Sequence, residues 1–520
     1  MRKDQLNQIL NDIVELINAE RDIKSKKTIE HYSNRVKEQY LKVINDNALD
    51  EFYATLRLEF NNDPELYLLL LSVLYFVLND EMSLKEVCRI LCEEDVEFFA
   101  ALNVRAQVEN AVFLNPKLKH TYSMRREVHQ HLLHRIENLS QLNLTPVAWQ
   151  ERSNTVIIVT NQLLSQLHAP TKIVLEMCRC LQKDFGYQVL LIVAPEEMNP
   201  TRMFQFWYNP IAVNYEKKYN EKFLLEYNGE IIQGYQILIN KANLGLMKEL
   251  LNEMAAQKPV FAWYIGNMTF FADLMRQFTS VVAMPCTDGY AISEAQIMLS
   301  YMNSGSEDVE ASKLYNQEKG QTMAHFGLDF YTYQKADKIY TREQFAIPKD
   351  NFAITIVGNR LDSEISDEFI DLLNYILKIS ERITFVFIGI FNGFQSRMEN
   401  AIKLGRAIHI GYQKDLVEVI SLMDLFLNPE RKGAGGGAAR ALSVGVPVVT
   451  LNHCDVANVS GKEFICSSKD EIIPLIEKYY NDSAFYQQQR QIALDRASAP
   501  YDFKAQIQSV ISEVQKLNYK

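Results

Sequence analysis

The sequence predicts an α/β protein of two Rossmann-like parallel-sheet domains facing a cleft, preceded by an all-helical domain. Three observations carry this. Residues 1 to about 145 repeat apolar side chains at helical spacing, as in QLNQILNDIVELINAE and DEFYATLRLEF, and contain no convincing strand. From Asn154 onward, buried β-branched runs alternate with helical stretches, the pattern of right-handed crossovers in a parallel sheet. Residues 425–452, LFLNPERKGAGGGAARALSVGVPVVTLN, read as a buried strand, a glycine loop, a small-residue helix and a second buried strand.

In order along the chain, residues 1–150 form the helical domain. Helix starts are expected at Asp63-Pro64 and at Ser83, where SLKE has the form of a capping box. Residues 151–330 form the first α/β domain: the strand TVIIVT, the loop NQLLSQLHAPT, a helix to about Gly186 and the strand QVLLIVA. Further strands are expected at 235–240, 259–265 and 280–285, and a loop near 302–320. Residues 331–500 form the second, with a strand at KIYT, then FAITIVGN, ITFVFIGI, AIHIGY, LFLNP and VPVVTLN. SKDE at Ser468 opens a helical region, and 501–520 is a helical tail.

At 520 residues the chain exceeds what one core usually holds, which agrees with several domains. The formal charge of −11 argues against a general nucleic-acid binder, though not against a local basic pocket. The segment MRKDQLNQIL lacks an apolar secretory core, and the longest apolar run, 66–78, is too short to span a bilayer. A cytoplasmic protein with no transmembrane segment is expected. Seven cysteines without paired CxxC elements suggest neither a zinc knuckle nor a disulfide framework. His129, His131 and His134 cluster, and Glu127 can join the 131/134 face, but no second ligand cluster supports a metal, so none is expected.

The glycine loop, with Gly433, Gly435, Gly436 and Gly437, leads into a helix N-terminus, where exposed amides and the helix dipole favour a phosphate. A tight turn packing a helix uses the same glycines. At the strand ends of open parallel sheets, ligands bind where two such domains face each other.

Four stretches carry a family likeness: the loop NQLLSQLHAPT, ITIVGNRLD, HIGYQKDL, and NPERKGAGGGAARALSVGVPVVTLN followed by Asp455. Over about residues 154–500 the sequence resembles the GT-B glycosyltransferases, in particular a bacterial branch of family-four-like and adhesin-directed enzymes with an added helical domain. The resemblance implies a nucleotide-sugar donor held mainly by the second sheet and an acceptor held mainly by the first. It places the nucleotide base near the backbone of Tyr412 and Gln413.

Arg360 follows a strand and Gly358, so its guanidinium can reach a diphosphate with two parallel hydrogen bonds, or form a surface ion pair with Asp362 or Glu364. Lys414 and Lys432 are further cationic candidates. His168, in the first strand-to-helix loop, has the natural pKa of a base for an acceptor hydroxyl, or it caps the Ala-Pro turn. Asn267 and Asp288, at strand ends, can orient an acceptor or serve as turn residues and caps. No Asp-x-Asp element stands at a strand end, so no metal or other cofactor is expected; the nucleotide sugar is a substrate.

The chain departs from the family in the helix after the glycine loop. Where relatives carry a carboxylate for the ribose hydroxyls, Arg440 stands, which has donors only. Gly436 and Gly437 occupy positions where Thr and Ser often contact phosphate. Two readings follow. One is a metal-independent glycosyltransferase moving a sugar from a nucleotide-diphosphate donor, UDP-linked in the first instance, to a protein or cell-surface glycan. The other is a catalytically degenerate relative that binds a glycan, a substrate protein or a partner transferase. A nucleotide-sugar epimerase is a third class. Expected partners are the nucleotide sugar, a protein or glycan acceptor, and a partner glycosyltransferase or a second copy of the chain; nucleic acid is not among them.

Overall fold

The computed structural model describes residues 3–518 except 22–25, 46–48, 79–80, 94–95, 166–167, 197–215, 220, 288, 301–306, 328–337, 432, 453 and 499–502. The chain divides into two compact units: residues 1–283 with 291–298 and 311–322, and residues 284–290 with 299–310 and 323–520. Among the described residues no helix is long and apolar enough to cross a membrane.

The first unit begins with the helices α1 (Lys3–Arg21), α2 (Lys26–Asn45), α3 (Leu49–Glu59), α4 (Pro64–Leu78), α5 (Glu81–Glu93), α6 (Phe98–Leu114) and α7 (Tyr122–Ser140). The α4 helix starts as its sequence indicates, with Asp63 Oδ1 accepting the Leu66 amide at 2.9 Å. The SLKE box is not used as a cap: α5 begins at Glu81, and the Ser83 hydroxyl is buried at 2.9 Å from the Tyr53 hydroxyl.

An eight-stranded sheet follows, built from β1 (Thr155–Thr160), α8 (Ala169–Lys183), β2 (Gln188–Val193), β3 (Glu221–Tyr227), β4 (Glu230–Gln236), α9 (Leu244–Ala256), β5 (Phe261–Ile265), α10 (Phe270–Leu274), β6 (Val281–Met284), β7 (Ile297–Ser300), α11 (Glu307–Glu318) and β8 (Thr322–His325). Its order is β3-β4-β2-β1-β5-β6-β7-β8. The β1 strand pairs in parallel with β2 on one side and β5 on the other, so the order reverses between β1 and β5.

Three sequence expectations need correction. The strand read at 235–240 ends at Gln236 and belongs to an antiparallel hairpin with β3. The turn Asn228-Gly229 makes that hairpin, with φ of 48° and 85°, a pairing that matches strand twist. The loop expected over 302–320 contains α11, whose first turn carries Glu307, Asp308 and Glu310 against the helix dipole. KIYT is not a strand: Thr341 and Gln344 form a capping box that turns the chain into a short 3-10 helix at Arg342–Phe345.

The helices are not appended loosely to this sheet. In α6 and α7, polar side chains are buried against the segments that follow its strands. Arg105 Nη1 donates to His129 Nδ1 at 2.7 Å, and Arg105 Nη2 pairs with Glu196. Because arginine only donates, the His129 proton sits on Nε2, which donates to Asp273 Oδ2 at 2.6 Å. Asp273 Oδ1 accepts the Ser293 hydroxyl at 2.6 Å and the Glu294 amide at 3.0 Å. Burial alone would raise the Asp273 carboxyl, but the hydrogen bonds from His129 and Ser293 hold it below the usual carboxylate range. Both ring nitrogens of His129 are thus engaged in this lock, and His134 bonds Glu137 at 3.2 Å instead.

The second unit carries a six-stranded sheet of order β11-β10-β9-β12-β13-β14. Its elements are β9 (Phe352–Gly358), α12 (Leu361–Glu364), α13 (Asp367–Ile376), β10 (Ile383–Gly389), α14 (Phe394–Arg397), α15 (Glu399–Lys403), β11 (Ala407–His409), α16 (Leu416–Ile420), β12 (Leu425–Leu427), α17 (Gly435–Ser443), β13 (Val448–Leu451), α18 (Cys454–Ser460), β14 (Ile465–Cys466), α19 (Ile472–Asn481), α20 (Ser483–Ser498) and α21 (Phe503–Asn518). The strand pairs are parallel.

Both faces of this sheet are covered, which explains the continuous apolar runs. Ile354 and Ile356 of β9 enter one core with α13 and α19 residues such as Leu373 and Ile476. Ala353 and Val357 enter the other, with Ala438, Ala441 and Leu442 of α17. The Gly389 backbone, at φ +120°, passes so close to β9 that a Cβ there would stand 1.9 Å from the Gly358 oxygen. The order of the sheet reverses at the crevice between β9 and β12, and Arg360 follows the first of these strands while the glycine loop follows the second.

Candidate functional site

The β9 strand delivers Gly358, Asn359 and Arg360 to the crevice; β12 delivers Asn428 and Arg431. Arg431 is buried and spends three donors there: Nη2 on the Val357 oxygen at 2.7 Å, Nη1 on Glu364 Oε2 at 2.7 Å, and Nε on Asn428 Oδ1 at 2.9 Å. Asn428 in turn donates to Thr450 Oγ1 of β13 at 3.1 Å. One guanidinium therefore ties the ends of β9 and β12 to the turn after β9. Gly358 leaves it room, since a Cβ there would stand 2.5 Å from Arg431 Nη1 and 3.0 Å from Glu364 Oε2.

Glu364, at the end of α12, also takes Arg360. Its Oε1 accepts Arg360 Nε at 3.1 Å and stands 3.0 Å from Nη2. The two side chains differ in exposure: Arg431 is 2% accessible and Arg360 54%. Asp362, the other partner considered for Arg360, accepts the Gly393 and Asn392 amides at 2.6 and 3.0 Å, and these bonds lower its carboxyl pKa.

The glycine loop lies beside Arg360. A Cβ on Gly433 would stand 3.6 Å from Arg360 Nη2 and 3.9 Å from Asp455 Oδ2, so the two side chains flank this glycine. Gly433 and Ala434 both have left-handed backbone, φ +86° and +68°, and Ala434 is the N-cap of α17. Alanine rarely adopts that conformation, and it has no side chain with which to cap the helix. Ala434 therefore makes no side-chain cap hydrogen bond, and the first amides of a helix have no carbonyl partner within the helix itself.

Gly435 and Gly437 have packing reasons. A Cβ on Gly435 would stand 3.0 Å from Asp455 Cβ of α18, and one on Gly437 3.4 Å from the Phe426 ring. The turn thus combines close helix packing with a helix N-terminus. Arg440 folds back along α17, its Nη1 donating to the Gly436 oxygen at 2.7 Å.

Tyr412, Gln413 and Lys414 follow β11, which lies beyond β10 and roughly 10 Å across the sheet from β9 at the usual strand spacing. Gln413 Nε2 donates to the Ile410 oxygen at 2.6 Å, and His409 Nε2 donates to the Gly389 oxygen at 2.9 Å. Tyr412 is half exposed. The Asp415 carboxylate accepts from Tyr340 at 2.7 Å and Lys338 at 3.3 Å, bonds that lower its pKa. Lys432 and Asp288 lie outside the described residues.

In the first unit His168 is the N-cap of α8, with Pro170 in the first turn and no capping bond from the ring. Its Nδ1 lies 3.2 Å from Thr171 Oγ1, which also accepts the Leu164 amide at 3.0 Å. If Nδ1–H donates to Thr171, Nε2 keeps its lone pair, the state a general base requires. Asn267 engages its backbone oxygen with the Ile292 amide at 2.7 Å.

Arg431 is the residue sequence reasoning passed over. Its signal was an arginine three residues after Asn428 at a strand end, weak because most such charges are solvated.

No family model matches the chain, and no curated protein matches it by sequence. Among solved structures it is similar to a mutant of the Thermobaculum terrenum O-GlcNAc transferase at 14% identity and a TM-score of 0.48, over 100% of this chain and 99% of that one. It is similar to Anabaena Alr3699/HepE in complex with UDP and glucose at 14% identity and 0.46, over 69% of this chain and 99% of that one. A glycosyltransferase from Rickettsia africae matches at 10% identity and 0.49, over 70% of this chain and 98% of that one.

Proposed function

We propose that the chain is a metal-independent glycosyltransferase that moves a sugar from a nucleotide-diphosphate donor, a UDP-sugar first, to a protein or cell-surface glycan acceptor. The observation that carries this is Arg360 braced beside Gly433 at the reversal point of the second sheet, next to the N-terminus of α17. A guanidinium and helix N-terminal amides are the groups that stabilise a leaving diphosphate without a metal ion.

In this reading the base lies by Tyr412 and Gln413, and the diphosphate runs toward Arg360 and the Gly433–Gly437 turn, with Lys414 and Lys432 adding positive charge. Asp455 would repel a phosphate, so its carboxylate accepts from hydroxyls of the sugar or ribose. The reaction is placed in the cytoplasm, with no resident cofactor. His168 removes the acceptor proton, and His168→Ala is expected to lower turnover about 100-fold or more while leaving UDP affinity within about threefold. Unchanged turnover would remove that role.

The direct test is calorimetric titration with UDP and GDP in the presence of a chelator, for the wild type and Arg360→Ala. Saturable UDP binding is expected, weakened about 10- to 100-fold by the substitution, the scale of lost charge-assisted hydrogen bonds. Binding that needs a divalent ion refutes the metal-free mechanism. Failure of a folded wild type to bind either nucleotide favours the second reading, a non-catalytic protein that binds a glycan, substrate protein or partner transferase. One observation supports that alternative: Arg440 presents donors bonded to its own helix where a ribose would need an acceptor.

A further inference from the structure

We propose that Glu364 is a positioning residue for donor binding, holding Arg360 toward the diphosphate while the buried Arg431 fixes the carboxylate; this rests on the donor-site reading above. The carboxylate divides its labour by oxygen. Oε2 belongs to Arg431, whose two other bonds reach the ends of β9 and β12, so this oxygen is fixed to the sheet. Oε1 belongs to Arg360. Glu364 is only 10% exposed, whereas Arg360 is more than half exposed. A long, solvated arginine is thereby given one direction, along Gly433, before any ligand arrives.

Charge fits the same role. Two guanidinium groups and one carboxylate leave the trio with one net positive charge, so the brace orients Arg360 without neutralising the cluster. A lone arginine at that exposure would lose rotamer freedom on meeting a diphosphate. Here the fold has already restricted it, which is preorganisation.

The experiment is calorimetric titration of the full chain with UDP and with inorganic pyrophosphate, for wild type, Glu364→Gln, Arg360→Ala and the double variant. Glutamine keeps an oxygen for Arg431 and turns an amide NH2 toward Arg360, so Glu364→Gln is expected to weaken both probes about tenfold. In the Arg360→Ala background the same change is expected to have no further effect, since it acts only through that arginine. Glu364→Asp serves as the second variant: it retains the charge for Arg431 but is too short to reach both arginines, and the same loss is expected. Wild-type affinity in either Glu364 variant, or a full additional loss in the double variant, overturns the positioning role alone. A folded wild type that binds neither probe overturns the donor reading and the positioning role with it.

Discussion

Asp273→Ala is expected to destabilise the first unit by about 3–5 kcal/mol, the scale found when one partner of a buried charged network is removed. The substitution strands the His129 Nε2–H, the Ser293 hydroxyl and the Glu294 amide, each of which now donates to this carboxylate. Each buried donor left unmet costs about 1–3 kcal/mol. Thermal denaturation should therefore fall by roughly 10 °C for a unit of this size. Lys258→Ala, which breaks an exposed pair with Glu151, is the control and should stay within about 1 kcal/mol of wild type. Equal midpoints for the two variants would show that the lock adds nothing.

The same carboxylate sets a pH dependence. Its folded-state pKa lies below the ordinary value, so at acid pH the unfolded chain binds the proton first. The contribution is full above the ordinary carboxylate pKa of about 3.9 and is lost as pH falls through the lower folded value. Asp273→Asn, which does not titrate, should show a flatter stability curve over that interval. A curve parallel to wild type would contradict the assignment.

The second large effect is expected from Arg431→Met. Methionine fills much of the volume but leaves the Val357 oxygen, Asn428 Oδ1 and Glu364 Oε2 without the donor each now has. A loss of about 3–5 kcal/mol in the second unit is expected, because three buried acceptors lose their donor at once. Arg431→Lys should recover only part of it, because an ammonium cannot present three donors in a planar fork. Urea denaturation followed by limited proteolysis checks both the size of the effect and its confinement to the β9–β12 crevice. A wild-type midpoint for Arg431→Met would mean that Arg431 is not the tie between the strands.

Much of the architecture was legible because it depends on local pattern. FAITIVGN and ITFVFIGI are apolar over nearly their whole length because both sheet faces are covered, and such runs identify themselves. The glycine loop announced a turn into a helix, and Arg360 was visible as a cation just past a strand. The misreadings have equally local causes. Asn228-Gly229 is a strong hairpin signal, and the strand reading at 235–240 rested on the apolar run after it alone. In KIYT a β-branched composition concealed a cap, and over 302–320 the acidic residues that suggested a loop are those that start α11.

Side-chain networks were a different matter. Nothing near Arg431 in sequence reveals that Val357, 74 residues earlier, offers its oxygen. Nothing in α7 reveals that His129 meets Asp273, 144 residues later. Such bonds follow from strand order and helix docking, which the sequence specifies only through the completed fold.

The two arginines that share Glu364 should fare differently over evolutionary time. Arg431 is held by the demands of folding, so a descendant that lost its donor would still be selected to keep it. Arg360 makes its bond at the surface, and only a ligand would protect it from drift. Among divergent copies of this protein, the residue at 360 would therefore record whether a lineage still uses its pocket, while the residue at 431 would record only that the lineage still folds.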